Sequence, residues 1–499
     1  MSGISFLDTL CVDQKQKLGV LLFLMIIYVF LRRSLFSSIS DIPGPFWASF
    51  SRLWHTKHAI IGDQNVVITE LHEKHGHFVR IADDEVSVIH PDAIKEVLLK
   101  PLKKGAWYSF FAIPNPRYQS AFSTVDPARK AEITRNYAAG FTLSNILKNE
   151  DAMNDTVGVF LDHMDDFCDK HEPVDLDKWI TFCTFDLLGE AMFSKPFGYL
   201  ETGTDVGSSI ENNQFLSMLG SPAANHGPVR LLNRLVLGNP LVSGAGILPM
   251  GHLVNTCMEN LAGREKNDDS RFDMVAHWNR AIKQHPGRVS MFDYHAHVVS
   301  VSGAGGESVS CALQSFVYHM IRTPGMWARA QQEVNEARRK GFCGDRVVSY
   351  ADAVKLPFLN ACIKEALRIH TPVAWNLPRE AGKQGITIGG KTFPEGVIVS
   401  VNPWAFHHSK HHWGEDARRF KPDRWFAGDT ADKEKYFLSF GAGPNSCPGQ
   451  HLARVELAKI AAALVRDYNI RLADPNHIWK WKAHFTMVPR DWPVYIEKR

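Results

Sequence analysis

Apolar residues recur at three- and four-residue steps over Leu161–Phe167, Phe182–Phe193, Ala312–Met320, Trp327–Arg339, Phe358–Ile369 and Leu452–Val465, a period that predicts helices with a buried face. Short runs of strand character stand at Phe78–Ile81, Val86–Ile89, Ile386–Ile388 and Val397–Val401. The pattern predicts a mainly α fold with small peripheral β-sheets. From about residue 46 onward the chain holds no long polar linker, repeat or low-complexity tract, so residues 41–499 read as one large domain.

The first forty residues differ. Leu18–Leu31 is a run of 14 residues without a charge, set between Lys15/Lys17 and Arg32/Arg33. At 1.5 Å per residue it is shorter than the ~20 residues that span a hydrocarbon core, but flanking cations can snorkel. Residues 1–40 are therefore predicted as an N-terminal, single-pass membrane anchor. A cleaved signal peptide and a buried core helix are the alternatives. Arg32 and Arg33 favour a cytosolic body. Ile42-Pro43-Gly44-Pro45 breaks any helix and predicts a stiff hinge behind the anchor.

Composition narrows the class. Of 499 residues 45% are hydrophobic and 22% charged, enough apolar material for a sizeable core, which excludes a disordered or collagen-like chain. A net charge of +3 gives no reason to expect a nucleic-acid partner. The eight cysteines form no C-x₂-C pair and are sparse for a disulfide framework, so they read as mostly reduced thiols.

One cysteine sits in a distinctive segment, Phe440-Gly-Ala-Gly-Pro-Asn-Ser-Cys-Pro-Gly449, just before a helical pattern near His451. Backbone N–H groups and the dipole at a helix N-terminus favour thiolate over thiol. Glycines at 441, 443 and 449 allow tight turns beside a flat, bulky partner. A thiolate held in such a loop is one way haem iron acquires an axial ligand. A dinucleotide loop is disfavoured, since Ser446 stands where G-x-G-x-x-G needs glycine. A second segment, Glu365-Ala-Leu-Arg368, places a carboxylate and a guanidinium on one helix face, and Phe420-Lys-Pro-Asp-Arg424-Trp425 follows it. A third, Ala304-Gly-Gly-Glu307-Ser308, interrupts a long apolar pattern with small residues and predicts a helix with a local groove or distortion.

Together and in their order along the chain, these segments resemble the cytochrome P-450 family of haem-thiolate monooxygenases. The resemblance implies that family's fold, haem b as cofactor, and a haem-thiolate catalytic domain over residues 41–499. It implies Cys447 as the axial iron ligand, and Glu307 and Ser308 as the proton relay of dioxygen activation. Serine replaces the usual threonine at 308. Glu365, Arg368 and Arg424 take the part of the family's structural cluster under the cysteine loop. Arg379, Lys130, Arg135, Phe440 and Asn445 are implied around the haem, although Lys130 and Asn445 depart from the usual Trp/His and Arg/His. By family position the substrate-facing segments are Trp107–Ile113, Asn212–Leu248, Val373–Leu377 and Phe485–Met487. From these segments, with Ala304, the chosen contacts are Trp107, Phe110, Phe111, Ala304, Val373, Trp375 and Phe485.

The resemblance further implies electrons from a separate NADPH–cytochrome P-450 reductase, with cytochrome b5 as an additional partner. It implies an endoplasmic reticulum membrane location, a cytosolic catalytic domain and a small apolar substrate. Filamentous-fungal members of the pisatin demethylase type are the most similar group, which implies secondary-metabolite biosynthesis or detoxification. A haem-thiolate isomerase or dehydratase working without reductase, and a non-catalytic haem-binding protein, are the competing readings. His407, His408, His411 and His412 include i,i+4 pairs, but no His-Glu-x-x-His is present and the segment reads as loop, so no zinc site is expected.

Overall fold

The computed structural model describes residues 4–112, 119–237, 251–265, 272–285, 287–428, 430–487 and 489–499. Its centre is a 32-residue helix, Met291–Arg322, capped by the Ser290 hydroxyl, which accepts from Asp293 N at 3.0 Å. Helices Leu176–Phe193, Pro357–Ile369 and Gln450–Asp467 pack around it, and nearly every residue of Leu176–Phe193 is buried. All six predicted helical patterns fall within observed helices, the others being Glu150–Lys170 and Met326–Arg339.

Among the described residues there are eight short strands: β1 (Phe78–Arg80), β2 (Glu85–Val88), β3 (Leu377–Glu380), β4 (Ile386–Ile388), β5 (Lys391–Phe393), β6 (Ile398–Val401), β7 (Tyr468–Leu472) and β8 (Val494–Lys498). The largest sheet has the order β1-β2-β6-β3, with β2 and β6 parallel, and the others are the hairpins β4-β5 and β7-β8. This sheet presents Arg379 of β3 opposite Val399, and Lys104 bridges to the same arginine from the loop before the aromatic run.

The 32-residue helix runs without a break, so the expected distortion at Gly305-Gly306 is absent. The glycines have another cause. A Cβ on Gly306 would lie 2.5 Å from the Phe185 ring, and one on Gly305 would lie 2.8 Å from Leu188. They let Leu176–Phe193 approach closely, and this packing offsets a helix-propensity cost of about 1 kcal/mol per glycine.

The N-terminal helix Ile4–Ser34 contains the apolar run, whose side chains are largely exposed, Leu18 at 66% and Phe23 at 62%. Among the described residues no helix is long and apolar enough to cross a membrane, and the expected span is not shown. The predicted hinge is instead packed. Arg80 N donates to Pro43 O at 2.8 Å, Gly44 lies against the Arg80 carbonyl, and Ile42 is buried. Arg33 pairs with Asp83 at 2.9 Å, tying the helix end to the sheet. The histidine segment forms two short helices, Pro403–His408 and Lys410–Trp413, where a loop was expected.

Candidate active site

Cys447 closes a loop between Leu438 and the helix Gln450–Asp467. Its backbone N–H donates to Phe440 O at 2.8 Å, which folds the loop back on itself, and Gly441 and Gly443 both take positive φ. A side chain at 443 would collide with the Leu98 carbonyl, 2.5 Å from an added Cβ. The cysteine side chain is exposed, unlike Cys168, Cys183, Cys257, Cys311, Cys343 and Cys362, which are buried and free. Burial of its surroundings pushes the thiol pKa up, while the Gly449 and Gln450 N–H groups pull it down. The upward direction prevails, so the loop alone does not favour thiolate as the sequence suggested. A metal ion at the sulfur would change that balance.

The platform beneath the loop is a buried ion network. Arg368 Nε and NH2 donate to Glu365 Oε2 and Oε1 at 3.0 and 2.8 Å, and Arg424 Nε donates to Oε1 at 2.8 Å. Trp425 Nε1 donates to Oε2 at 3.1 Å, and Lys421 N to Oε1 at 3.0 Å. Arg368 also donates to the carbonyls of His407 and Ala417 at 2.6 and 2.7 Å. Two bonds carry this order into the loop: Ser439 Oγ donates to Leu367 O at 2.8 Å and Leu438 N to His407 Nε2 at 2.8 Å. His407 is thus occupied as an acceptor, and His412 Nε2 faces the Ile89 carbonyl at 2.8 Å. Among the described residues no cluster of ligating groups could hold a metal ion.

On the central helix Ala304 is exposed and Ser308 half-buried, one turn apart, forming an open strip on an otherwise buried element. Ser308 Oγ donates to Ala304 O at 2.9 Å. Glu307 is buried. Its Oε2 accepts from Thr486 Oγ1 at 2.9 Å, and its Oε1 has no protein partner. Burial pushes this carboxyl up to about 7 against the opposing pull of Thr486, Asn213, Arg490 and Gln214.

Three cations converge beside the loop. Arg379 is buried, with NH1 donating to Tyr108 Oη at 3.2 Å and Nε unpartnered. Lys104, which the sequence reading missed, is buried with Nζ donating to Ala121 O and Phe122 O at 2.8 and 2.9 Å. Lys130 donates to the Pro444 carbonyl in the cysteine loop. Burial, then Arg379 and Lys130, hold the Lys104 ammonium well below its usual range. Among the described residues no carboxylate pairs with any of the three. Such a cluster is unfavourable unless an anion joins it. Arg135 is exposed on the same helix as Lys130. Five residues of helix turn it about 140° away. Phe440 lies under the Arg454 guanidinium at 4.9 Å, and Asn445 is half-buried in the loop.

Six of the seven expected substrate contacts gather in one aromatic cluster. Trp107 and Trp375 stack at 5.1 Å, and Phe485 lies 5.7 Å from Trp107 and 6.1 Å from Phe111. Phe110 packs at 5.6 Å on Phe111, and Val373 bridges to Thr486. Ala304 stands apart, on the central helix. Of the expected segments, Ile113 and residues 238–248 lie outside the described residues.

The cytochrome P450 family model matches residues 42–491. The P450 monooxygenase gsfF of Penicillium aethiopicum is 28% identical over 90% of this chain and 91% of its own. The P450 monooxygenase cicH of Emericella nidulans is 28% identical over 96% and 97%. Pisatin demethylase of Fusarium vanettenii is 27% identical over 92% of this chain and 89% of that protein. The chain belongs to the cytochrome P450 family and is a monooxygenase of the oxidoreductase class, with haem iron as the family's cofactor.

The residues present fit that group. An open cysteine, a strip of small side chains on the central helix and a carboxylate-free trio of cations match a flat macrocycle bearing two carboxylates. Lys104 could not have been found from its neighbours, because its chemistry depends on Arg379, 275 positions away.

Proposed function

We propose that this protein is a haem-thiolate monooxygenase that places one oxygen atom from O₂ into a small, largely apolar molecule. Its setting is fungal secondary-metabolite biosynthesis or detoxification. The observation that carries the reading is the cationic trio beside the Cys447 loop, Arg379 and Lys104 buried and Lys130 half-buried, which calls for a ligand with its own carboxylates.

Cys447 Sγ would hold the iron, and Arg379 Nε, Lys104 and Lys130 the propionates. When bound, the haem supplies reductive activation of dioxygen. The chain's own groups do the rest. Glu307 can take up or give up a proton near neutral pH, next to Ser308 on the central helix. Thr486 keeps that carboxyl oriented. Ser308 offers a hydroxyl on the strip itself, and the aromatic cluster holds substrate and excludes water. Residues 41–499 form the catalytic domain. Residues 1–40 associate with the endoplasmic reticulum membrane, a reading supported by the exposed apolar run Leu18–Leu31. Electrons come from an NADPH–cytochrome P450 reductase, with cytochrome b5 as accessory donor.

The test is the reduced carbon monoxide difference spectrum beside that of Cys447→Ala. A strongly red-shifted Soret band lost in the variant supports the assignment. Haem binding without that band, or a band indifferent to the substitution, overturns it. Product formation that needs NADPH and reductase separates oxygen insertion from isomerisation or dehydration.

A further inference from the structure

A cavity of about 70 Å³ lies behind the tryptophan pair, lined by Trp107, Trp375, His55, Asn225, Arg52 and Arg230. Two of its polar atoms have no partner although their residues are buried, Asn225 at 5% exposure and His55 at 1%. They are Asn225 Nδ2, a donor, and His55 Nδ1. Buried polar atoms are rarely left unpaired, so two orphans on residues that line one cavity point to a ligand.

The hydrogen bonds fix what His55 offers. Gln64 Nε2 is committed to Ala483 O at 3.3 Å, so Gln64 Oε1, 3.0 Å from His55 Nε2, must accept from it. Asn376 Nδ2 is a looser neighbour of that nitrogen at 3.4 Å. Burial first of all lowers the imidazole's pKa and keeps it neutral. A neutral ring protonated on Nε2 leaves Nδ1 as a bare acceptor. The cavity therefore presents one unused donor and one unused acceptor.

Charge decides between a neutral and an anionic ligand. Asp84 and Glu85 also line the cavity, and both pair with Arg52, the former at 2.5 Å. Two arginines and two carboxylates leave the lining without net charge. Arg230 NH1 donates to Ala224 O at 2.6 Å. Nothing here favours an anion over a neutral group.

Resting on the monooxygenase reading above, we propose that this cavity takes the hydroxyl group of a neutral aromatic substrate, a phenol. The hydroxyl donates to His55 Nδ1, its oxygen accepts from Asn225 Nδ2, and the ring lies along Trp107 and Trp375. The substrate class is thereby narrowed from apolar molecules to hydroxylated aromatics. One end is anchored at the cavity, whose wall Trp107 also packs on Phe485 at 5.7 Å and so joins this pocket to the aromatic cluster.

The experiment is equilibrium dialysis of the full-length holoenzyme with three probes: 2-naphthol, 2-methoxynaphthalene and naphthalene. They carry donor and acceptor, acceptor only, and neither. The expected order is 2-naphthol, then the ether, then the hydrocarbon, with about tenfold between first and last, equivalent to about 1.4 kcal/mol. Asn225→Ala should erase the difference between ether and hydrocarbon, and His55→Phe the difference between naphthol and ether. His55→Asn serves as a second substitution if the phenylalanine variant does not fold, which thermal melting reveals. Equal binding of all three probes to the parent overturns the proposal. So does a preference that survives both substitutions, which would leave the cavity to water alone. Failure here with an intact carbon monoxide band condemns only the phenol assignment, whereas loss of that band condemns the reading beneath it.

Discussion

Replacing Glu307 by glutamine tests the burial argument quantitatively. The carboxyl's pKa rises from 4.5 to about 7, because the low-dielectric interior disfavours the charged form more than Thr486 and its neighbours favour it. The native state then binds the proton more tightly than the unfolded chain. Stability is fully present below about 4.5, falls as pH rises towards 7, and levels off above it. At about 1.36 kcal/mol per unit the full loss is about 3 kcal/mol. Between pH 5 and pH 8 the share is about 2.5 kcal/mol, since part is already lost at pH 5. Glu307→Gln has no proton to lose, so it should gain about that much on the parent between those pH values. Equilibrium urea unfolding of both proteins at pH 5 and pH 8, with haem saturating, measures the difference. Infrared titration should show a protonated carboxyl disappearing near pH 7 in the parent and absent from the variant. Parallel stability curves, together with no carboxyl titrating near neutrality, would refute the reasoning.

Other changes probe other parts of the site. Glu365→Gln leaves Arg368 and Arg424 buried against a neutral amide and should cost about 3–5 kcal/mol, seen as a lower melting temperature and reduced haem content. Lys104→Met should speed haem dissociation. Haem transfer to apomyoglobin measures that rate, and an unchanged rate would remove Lys104 from the propionate site. Gly306→Ala should cost about 1–3 kcal/mol through contact with Phe185. In denaturation experiments Phe185→Leu should recover part of that loss, and additive effects would show that the two positions do not touch.

Local periodicity was most directly legible where a helix buries one face, as Glu150–Lys170 does through Met153, Val157, Phe160, Leu161, Met164 and Cys168. The Glu365–Arg368 pair was legible for the same reason, since spacing of three puts both on one face. What escaped the sequence depended on distant contacts. Lys104 meets Arg379 only through a strand bridge, and Thr486 reaches Glu307 across 179 positions. The glycines at 305 and 306 were expected to open a groove, yet their role is set by Phe185 and Leu188 on another helix. Pro43-Gly44-Pro45 reads locally as a breaker, and only the Arg80 pairing distinguishes a packed connector from a hinge.

The close seat of Phe185 on Gly306 also bears on how such a protein can diversify. No larger residue is tolerated at that point of the central helix without moving its neighbour, so the position is closed to stepwise change. The aromatic residues Phe110, Phe111 and Phe485, by contrast, are only partly buried and lie on short segments outside the helical core. New specificities in descendants of this chain should therefore accumulate at those walls. The helix behind them should stay fixed, an invariant backdrop against which different substrates are tried.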